Sequence, residues 1–173
     1  IEKGQSNTIE PLPWQTDTCI GSWHYDKGVY RDKRYKTAKQ VIHSLIDVVS
    51  KNGNLMLNIP VKGDGSIDEL ERAIVEEIGV WMNLNGDSIY GTRPWKIFGE
   101  GPQQESAAAL KAQGFNEGKG KAFTSQDIRF VTKGDKLYAT VMSWPDDGKV
   151  IIKSLKSGSQ YHKNQVKKVK LAR

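Results

Sequence analysis

Hydrophobic positions fall into four regimes along the chain. Residues 1–36 show no period; they carry Pro11, Pro13, Gly21 and Gly28 among polar and aromatic residues, with room for a short strand near Asp17–Gly21. From Thr37 the spacing turns helical. Val41, Ile42, Leu45, Ile46, Val48 and Val49 make a wide apolar face. Thr37 with Gln40 three residues on has capping-box spacing, and Asn52-Gly53 closes the helix, Gly taking the left-handed conformation. The run "NLMLNIPV" then reads as a buried parallel strand, bounded by Gly53 and by Pro60 to Gly65. "KGDGS" is a turn. Ser66, with Glu69 at the capping-box position, opens a second helix over Ile67–Leu84, whose apolar face is Ile67, Leu70, Ile74, Ile78 and Trp81. Asn85-Gly86 ends it.

After Trp95 the texture changes. Residues 99–120 are rich in Gly, Gln, Glu and Ala and offer little core. From Asp127 the period is two. "DIRFVTKGDKLYATVMSW" predicts two strands joined by Gly134-Asp135, a hairpin signal; "PDDG" turns the chain, and "KVIIKSL" predicts a third strand. The tail "QVKKVKLAR" suits an amphipathic or edge strand guarded by lysine. The fold class is α/β followed by all-β, divided as residues 1–96, a linker over 97–120, and a β part over 121–173. One parallel strand between two helices lacks the neighbours a sheet buried on both faces needs. The pattern therefore reads as an interior slice of a longer chain, with a small self-contained α+β domain as the alternative.

Composition narrows the function classes. The 173 residues carry a net charge of +6, but the lysines are dispersed and no nucleic-acid motif accompanies them, so no nucleic acid is expected. No window nears 18 consecutive apolar residues, so no membrane span is expected either. The single cysteine, Cys19, excludes an internal disulfide and a multi-cysteine zinc site, and His24, His43 and His162 have no metal spacing; no cofactor or metal is implied. Oligomeric state is not encoded.

The densest chemistry lies in "PWQTDTCIGSWHYD", Pro13–Asp26, with two tryptophans, a histidine, a tyrosine, two aspartates and the cysteine. Such side chains form either a binding wall or an aromatic piece of core. Cys19, in the expected strand, reads as a small buried apolar residue. Trp81 and His43, on or beside helix faces, read as packing. Trp95 and Trp144 are expected at the junction between the two parts and in the core of the β part.

"PWQTDTCIGSWHYD", "VVSKNGNLMLNIPVKGDGSID" and "NGDSIYGTRPWKIFGEGP" resemble the carboxyl-terminal third of α-L-fucosidases of glycoside hydrolase family 29. "FNEGKGKAFTSQDIRF" and "KLYATVMSWP" resemble the start of the β-sandwich that follows their barrel. The resemblance runs in order from Glu2 to about Leu155. It implies the C-terminal portion of a (β/α)8-like barrel plus part of an antiparallel β-sandwich, with "NLMLNIPV" as the last barrel strand. It also implies a retaining exo-α-L-fucosidase, with two carboxyl groups about 5–5.5 Å apart and a fucosylated glycan as substrate. The family's nucleophilic aspartate belongs to a strand upstream of anything present here, so the 173 residues alone are expected to be inactive.

For the acid/base the resemblance points to Glu2, twelve residues before Trp14, with Glu10 and Asp17 as fallbacks; Glu10 reads equally as a solvated loop residue and Asp17 as a local hydrogen-bonding group. Trp23 aligns with the aromatic wall for the C5 methyl of fucose, a 6-deoxy sugar whose methyl needs an apolar surface. Trp14 and His24 are further substrate-binding candidates, and Tyr25 is near enough in sequence to reach sugar hydroxyls; each has a packing or structural hydrogen-bond alternative. A secreted or periplasmic home, lysosomal in a eukaryote, follows from the resemblance alone. Two other classes compete: a non-catalytic carbohydrate-binding or inert piece, and a basic interaction domain.

Overall fold

A computed structural model describes residues 1–106, 115–162 and 166–171. Its elements, in order, are β1 (Trp14–Cys19), α1 (Lys27–Arg31), α2 (Ala38–Ser50), β2 (Gly53–Asn58), α3 (Glu69–Asn85), β3 (Arg93–Glu100), α4 (Pro102–Ser106), β4 (Ile128–Lys133) and β5 (Lys136–Val141). β1 and β2 form a parallel pair in register from Trp14 opposite Gly53 to Cys19 opposite Asn58. β3, β4 and β5 form an antiparallel sheet in that order, with an irregular register between Pro94 and Gly99 of β3.

Helix α2 is the common wall between the two sheets. Its capping box is complete: the Gln40 amide donates to Thr37 Oγ1 at 3.2 Å and the Thr37 amide to Gln40 Oε1 at 2.8 Å. At its other end the left-handed residue is Asn52, with φ of 70°, and not Gly53. Gly53 is needed for a different reason. A Cβ there would lie 2.7 Å from both the Trp14 ring and Val48 Cγ1, so the start of β2 must be glycine to let β1 and α2 close over it. Ala38, Ile42 and Ile46 of α2 pack with Met142 beyond β5, and Ile74, Ile78 and Trp81 of α3 cover this cluster. Trp81 is thus packing, as its spacing predicts. His43 stands edge-on to Phe123 at 5.2 Å, also a packing contact.

Helix and sheet are also tied by charge. Asp47 of α2 is buried and accepts from Lys51 Nζ at 2.6 Å and from Arg129 Nε of β4 at 2.6 Å. Lys51 Nζ and the Arg129 guanidinium lie 4.7 and 5.4 Å from the Phe98 ring of β3. Burial works against the Asp47 charge, but the two cations outweigh it and hold the carboxyl below its ordinary range.

Several expectations are corrected. α3 is capped by Asp68, not Ser66: Asp68 Oδ1 accepts the Glu71 amide at 2.8 Å, while Ser66 folds back on Asp64. "KVIIKSL" is not a strand. Glu100 takes the amides of Lys153 and Ser154, each at 2.8 Å, and turns this stretch into a short 3-10 helix over Lys153–Leu155, so those donors are unavailable to a ladder. The third strand is β3 instead, which runs through the texture change near residue 96. Trp144 is 59% exposed and is no core residue, whereas Trp95 packs edge-on against Phe130 at 5.2 Å. Residues 166–171 of the tail are exposed and not in a strand. "NLMLNIPV" is parallel as predicted, but Met56 on its second face is 49% exposed. Part of the expected linker, residues 107–114, lies outside the described residues.

Candidate active site

The parallel pair ends, carboxyl-terminally, at Cys19 and Asn58, the rim where parallel sheets collect ligands. Asn58 builds this rim. Its Nδ2 donates to the carbonyls of Ser22 and Trp23 at 3.3 and 3.1 Å, and its own carbonyl accepts the Ile20 amide at 3.1 Å. Gly21 lets the loop lie flat on Tyr35; a Cβ there would meet the ring at 2.9 Å. Cys19 is buried, as predicted, and points its thiol at the Gly21 carbonyl at 3.2 Å. The loop thus presents Trp23 half-buried, with its indole Nε1 donating to Glu2 Oε1 at 2.9 Å. Lys3 Nζ lies 5.3 Å from the Trp23 ring centroid.

Residues 21 positions apart in sequence meet because the first residues run alongside β1 on the edge away from β2. The Asp17 amide donates to the Ile1 carbonyl at 3.1 Å and the Lys3 amide to the Asp17 carbonyl at 2.9 Å, making Glu2 and Asp17 parallel bridge partners. Bridge partners send their side chains to the same sheet face. Asp17 Oδ1 is buried and has no hydrogen-bond partner among the described residues. Lys3 turns with φ of 44°, a left-handed conformation that a side-chain-bearing residue keeps only when its surroundings hold it. The Gly4 amide, donating to Thr16 Oγ1 at 3.0 Å, is one of those restraints.

Other candidates do not join this group. Trp14 stands at the amino-terminal end of β1, roughly 16 Å along the strand from Cys19. Its Nε1 donates to the Lys51 carbonyl at 3.0 Å and its ring covers Gly53. That satisfied, packed position sets it apart from the rim. Glu10 lies at the same far end: its amide donates to the Lys51 carbonyl at 3.1 Å, and its carboxylate accepts the Ser6 hydroxyl. It cannot stand in for Glu2. His24 follows Trp23 and is exposed; Tyr25 is half-buried, with Lys62 Nζ 6.0 Å from its ring.

Two groups of residues at this end had no local signal. Beneath the rim, the Tyr35 hydroxyl donates to Asp68 Oδ2 at 2.6 Å, and burial together with that carboxylate pushes the phenol far above its ordinary range. Glu71 beside it is fully buried with both carboxylate oxygens unpartnered among the described residues; burial, then Asp68, raises its carboxyl. Beside β1, Lys36 Nζ bonds Thr18 Oγ1, the Cys19 carbonyl at 3.0 Å and Glu117 Oε2 at 2.9 Å. Of the overlooked residues only Asn58 left a trace in sequence: it is a polar residue closing an apolar strand. Among the described residues no three His, Cys, Asp or Glu side chains converge to hold a metal ion. The group can do proton chemistry with a carboxyl whose orientation is fixed by an indole.

The sequence model of the family described as Alpha-L-fucosidase matches residues 1–87. Mouse tissue alpha-L-fucosidase is 28% identical over 160 residues, covering 91% of this chain and 30% of that protein. The Thermotoga maritima alpha-fucosidase solved in complex with fucose is similar with a TM-score of 0.61 at 27% identity, over 80% of this chain and 28% of that one. Alpha-L-fucosidase isoenzyme 1 from Paenibacillus thiaminolyticus is similar with a TM-score of 0.52 at 30% identity, over 81% and 29%. The chain spans 30% of the length of the first curated relatives it matches.

Proposed function

The chain belongs to the alpha-L-fucosidase family, and from that premise we propose that it supplies the acid/base carboxyl and one pocket wall of a retaining exo-α-L-fucosidase. The carrying observation is the 2.9 Å hydrogen bond from Trp23 Nε1 to Glu2 Oε1 at the carboxyl end of the parallel pair. In this reading β1 and β2 are neighbouring strands of a (β/α)8-like barrel with α2 on its outer side. The antiparallel sheet begins a β-sandwich. The half-open face bearing Gln15, Asn54 and Met56 is the barrel interior.

The chemistry follows from that bond. An indole N–H occupies Oε1, so Oε2 is the oxygen free to carry a proton to the leaving oxygen. A carboxylate from outside these residues attacks the anomeric carbon as that C–O bond breaks, forming a covalent fucosyl ester. Glu2, now ionised, takes a proton from water, which attacks the same carbon and releases fucose with its configuration retained. Trp23 serves twice, its edge orienting Glu2 and its face offering an apolar wall to the sugar's methyl.

The test uses the full-length protein and aryl α-L-fucosides. Glu2→Ala is expected to lose turnover on substrates with poor leaving groups by about 100-fold or more. Azide, which needs no general base, is expected to restore turnover with activated leaving groups and give the α-fucosyl azide. Full activity of Glu2→Ala on a poor leaving group would sink the assignment.

A further inference from the structure

We propose that Asn116 and Glu117, beyond the first strand of the antiparallel sheet, are positioning residues for Glu2; this rests on the reading of Glu2 as acid/base. β1 holds the segment carrying Glu2 along one edge only. The segment makes one isolated bridge, at Asp17, and then leaves through the left-handed Lys3. Its other edge is taken by residues 115–117. The Phe115 amide donates to the Glu2 carbonyl and the Glu117 amide to the Lys3 carbonyl, each at 2.9 Å. Asn116 closes the clasp around Gln5: its Oδ1 accepts the Gln5 amide at 2.6 Å and its Nδ2 donates to the Gln5 carbonyl at 2.8 Å.

The clasp is itself fixed to the rim. The Glu117 carboxylate accepts Thr18 Oγ1 at 2.8 Å and pairs with Lys36 Nζ at 2.9 Å, and that same ammonium reaches the Cys19 carbonyl at 3.0 Å. Thr18 is buried and Glu117 is largely so. A chain of short bonds therefore runs from the end of β1, through Glu117, to the backbone of Glu2. This fixes the height of Glu2 relative to Trp23, which is set through Asn58 at the end of β2, directly opposite Cys19 in the parallel pair. Both partners of the Glu2–Trp23 bond are thus referenced to one rigid edge, and the Glu2 half of that reference comes from residues more than 100 positions away in the chain. An acid displaced by an ångström loses proton transfer while substrate binding persists.

The experiment is made on the full-length enzyme with two α-L-fucosides, one with an activated aryl leaving group and one with a poor one. Asn116→Ala removes both side-chain bonds to Gln5. The expected result is a fall in kcat of about 10- to 100-fold on the poor leaving group, a several-fold smaller fall on the activated one, and KM unchanged within about twofold. A structural role alone would lower the folded fraction and so reduce both substrates alike; equal losses, or none, overturn the proposal. Should Asn116→Ala yield no folded enzyme, Glu117→Gln decides, since it weakens the link to Lys36 while keeping an acceptor for Thr18. A leaving-group-dependent loss supports the clasp, and an unchanged ratio overturns it. Glu2→Ala is run beside them. If it shows leaving-group dependence and azide rescue while the clasp variants do not, only the positioning proposal fails. If Glu2→Ala shows neither, the acid/base reading fails and the proposal falls with it.

Discussion

Replacing Asp47 by Asn tests how the two sheets are joined. The change keeps the side-chain volume, so no cavity confuses the result, but it removes the negative charge that faces two buried cations. Lys51 and Arg129 lie 2.6 Å from its two oxygens, and all three side chains are at most 4% exposed. Stranding one buried charge costs about 3–5 kcal/mol. Here two are stranded, and the Phe98 ring touches both cations before and after the change, so it does not alter the difference. The net expectation is a loss of at least about 4 kcal/mol at pH 7, read by urea unfolding as a midpoint lowered by about 2 M or more at a slope near 2 kcal/mol/M. A pH signature separates this from any packing effect. Burial already lowers the Lys51 ammonium against the pull of Asp47, and losing Asp47 lowers it further. A lysine whose folded pKa is below its unfolded one costs stability while charged. The deficit of Asp47→Asn should therefore shrink as pH rises through that folded value toward about 10.4. Arg129→Leu leaves the neutral Asp47–Lys51 pair, and should cost only about 1–3 kcal/mol with no such trend. A loss below about 1 kcal/mol for Asp47→Asn, or a deficit flat from pH 7 to 10, would refute the charge argument.

Two further outcomes are expected. Glu71→Gln should stabilise the protein by about 1 kcal/mol at neutral pH, because it removes a buried carboxylate that has no partner among the described residues. The folded Glu71 carboxyl is raised by burial and then by Asp68, so its penalty is absent below the ordinary pKa and develops as pH rises through the folded one. The gain should vanish below about pH 4.5, and thermal melting across pH 4–8 measures it. Trp23→Phe keeps a ring for the wall and loses the N–H aimed at Glu2. It should lower kcat on poor leaving groups about tenfold, near 1.4 kcal/mol, with KM preserved, whereas Trp23→Leu should raise KM as well.

Elements governed by neighbours in sequence were readable from it. The Thr37–Gln40 box, the helical faces of α2 and α3 and the two-residue turn at Gly134-Asp135 appear where their patterns predict. What failed was decided by distant partners. A strand over 149–155 is plausible by alternation until Glu100 captures the amides of Lys153 and Ser154. Ser66 is a reasonable cap until Asp68 is chosen instead, with Tyr35 on its other oxygen. Gly53 looks like a helix stop, yet its requirement comes from Trp14, 39 positions earlier. At the candidate site, Trp23 and Glu2 were nominated through resemblance, not spacing, and their hydrogen bond has no one-dimensional signature. Trp14 carried the same residue type in the same motif, but it begins β1 and Trp23 follows its end, so the length of the strand separates them.

Because residues 115–117 close over the Glu2 segment and Asp47 answers Arg129, the antiparallel sheet is not an interchangeable cassette. A chimera joined near residue 97 to a foreign sheet would inherit bare carbonyls at Glu2 and Lys3 and a buried aspartate missing one of its cations. Recombination between relatives is therefore expected to succeed only when the donor brings the clasp and the arginine together with the strand that carries it. In recombining such chains the crossover belongs after residue 129, and not at the visible change in composition.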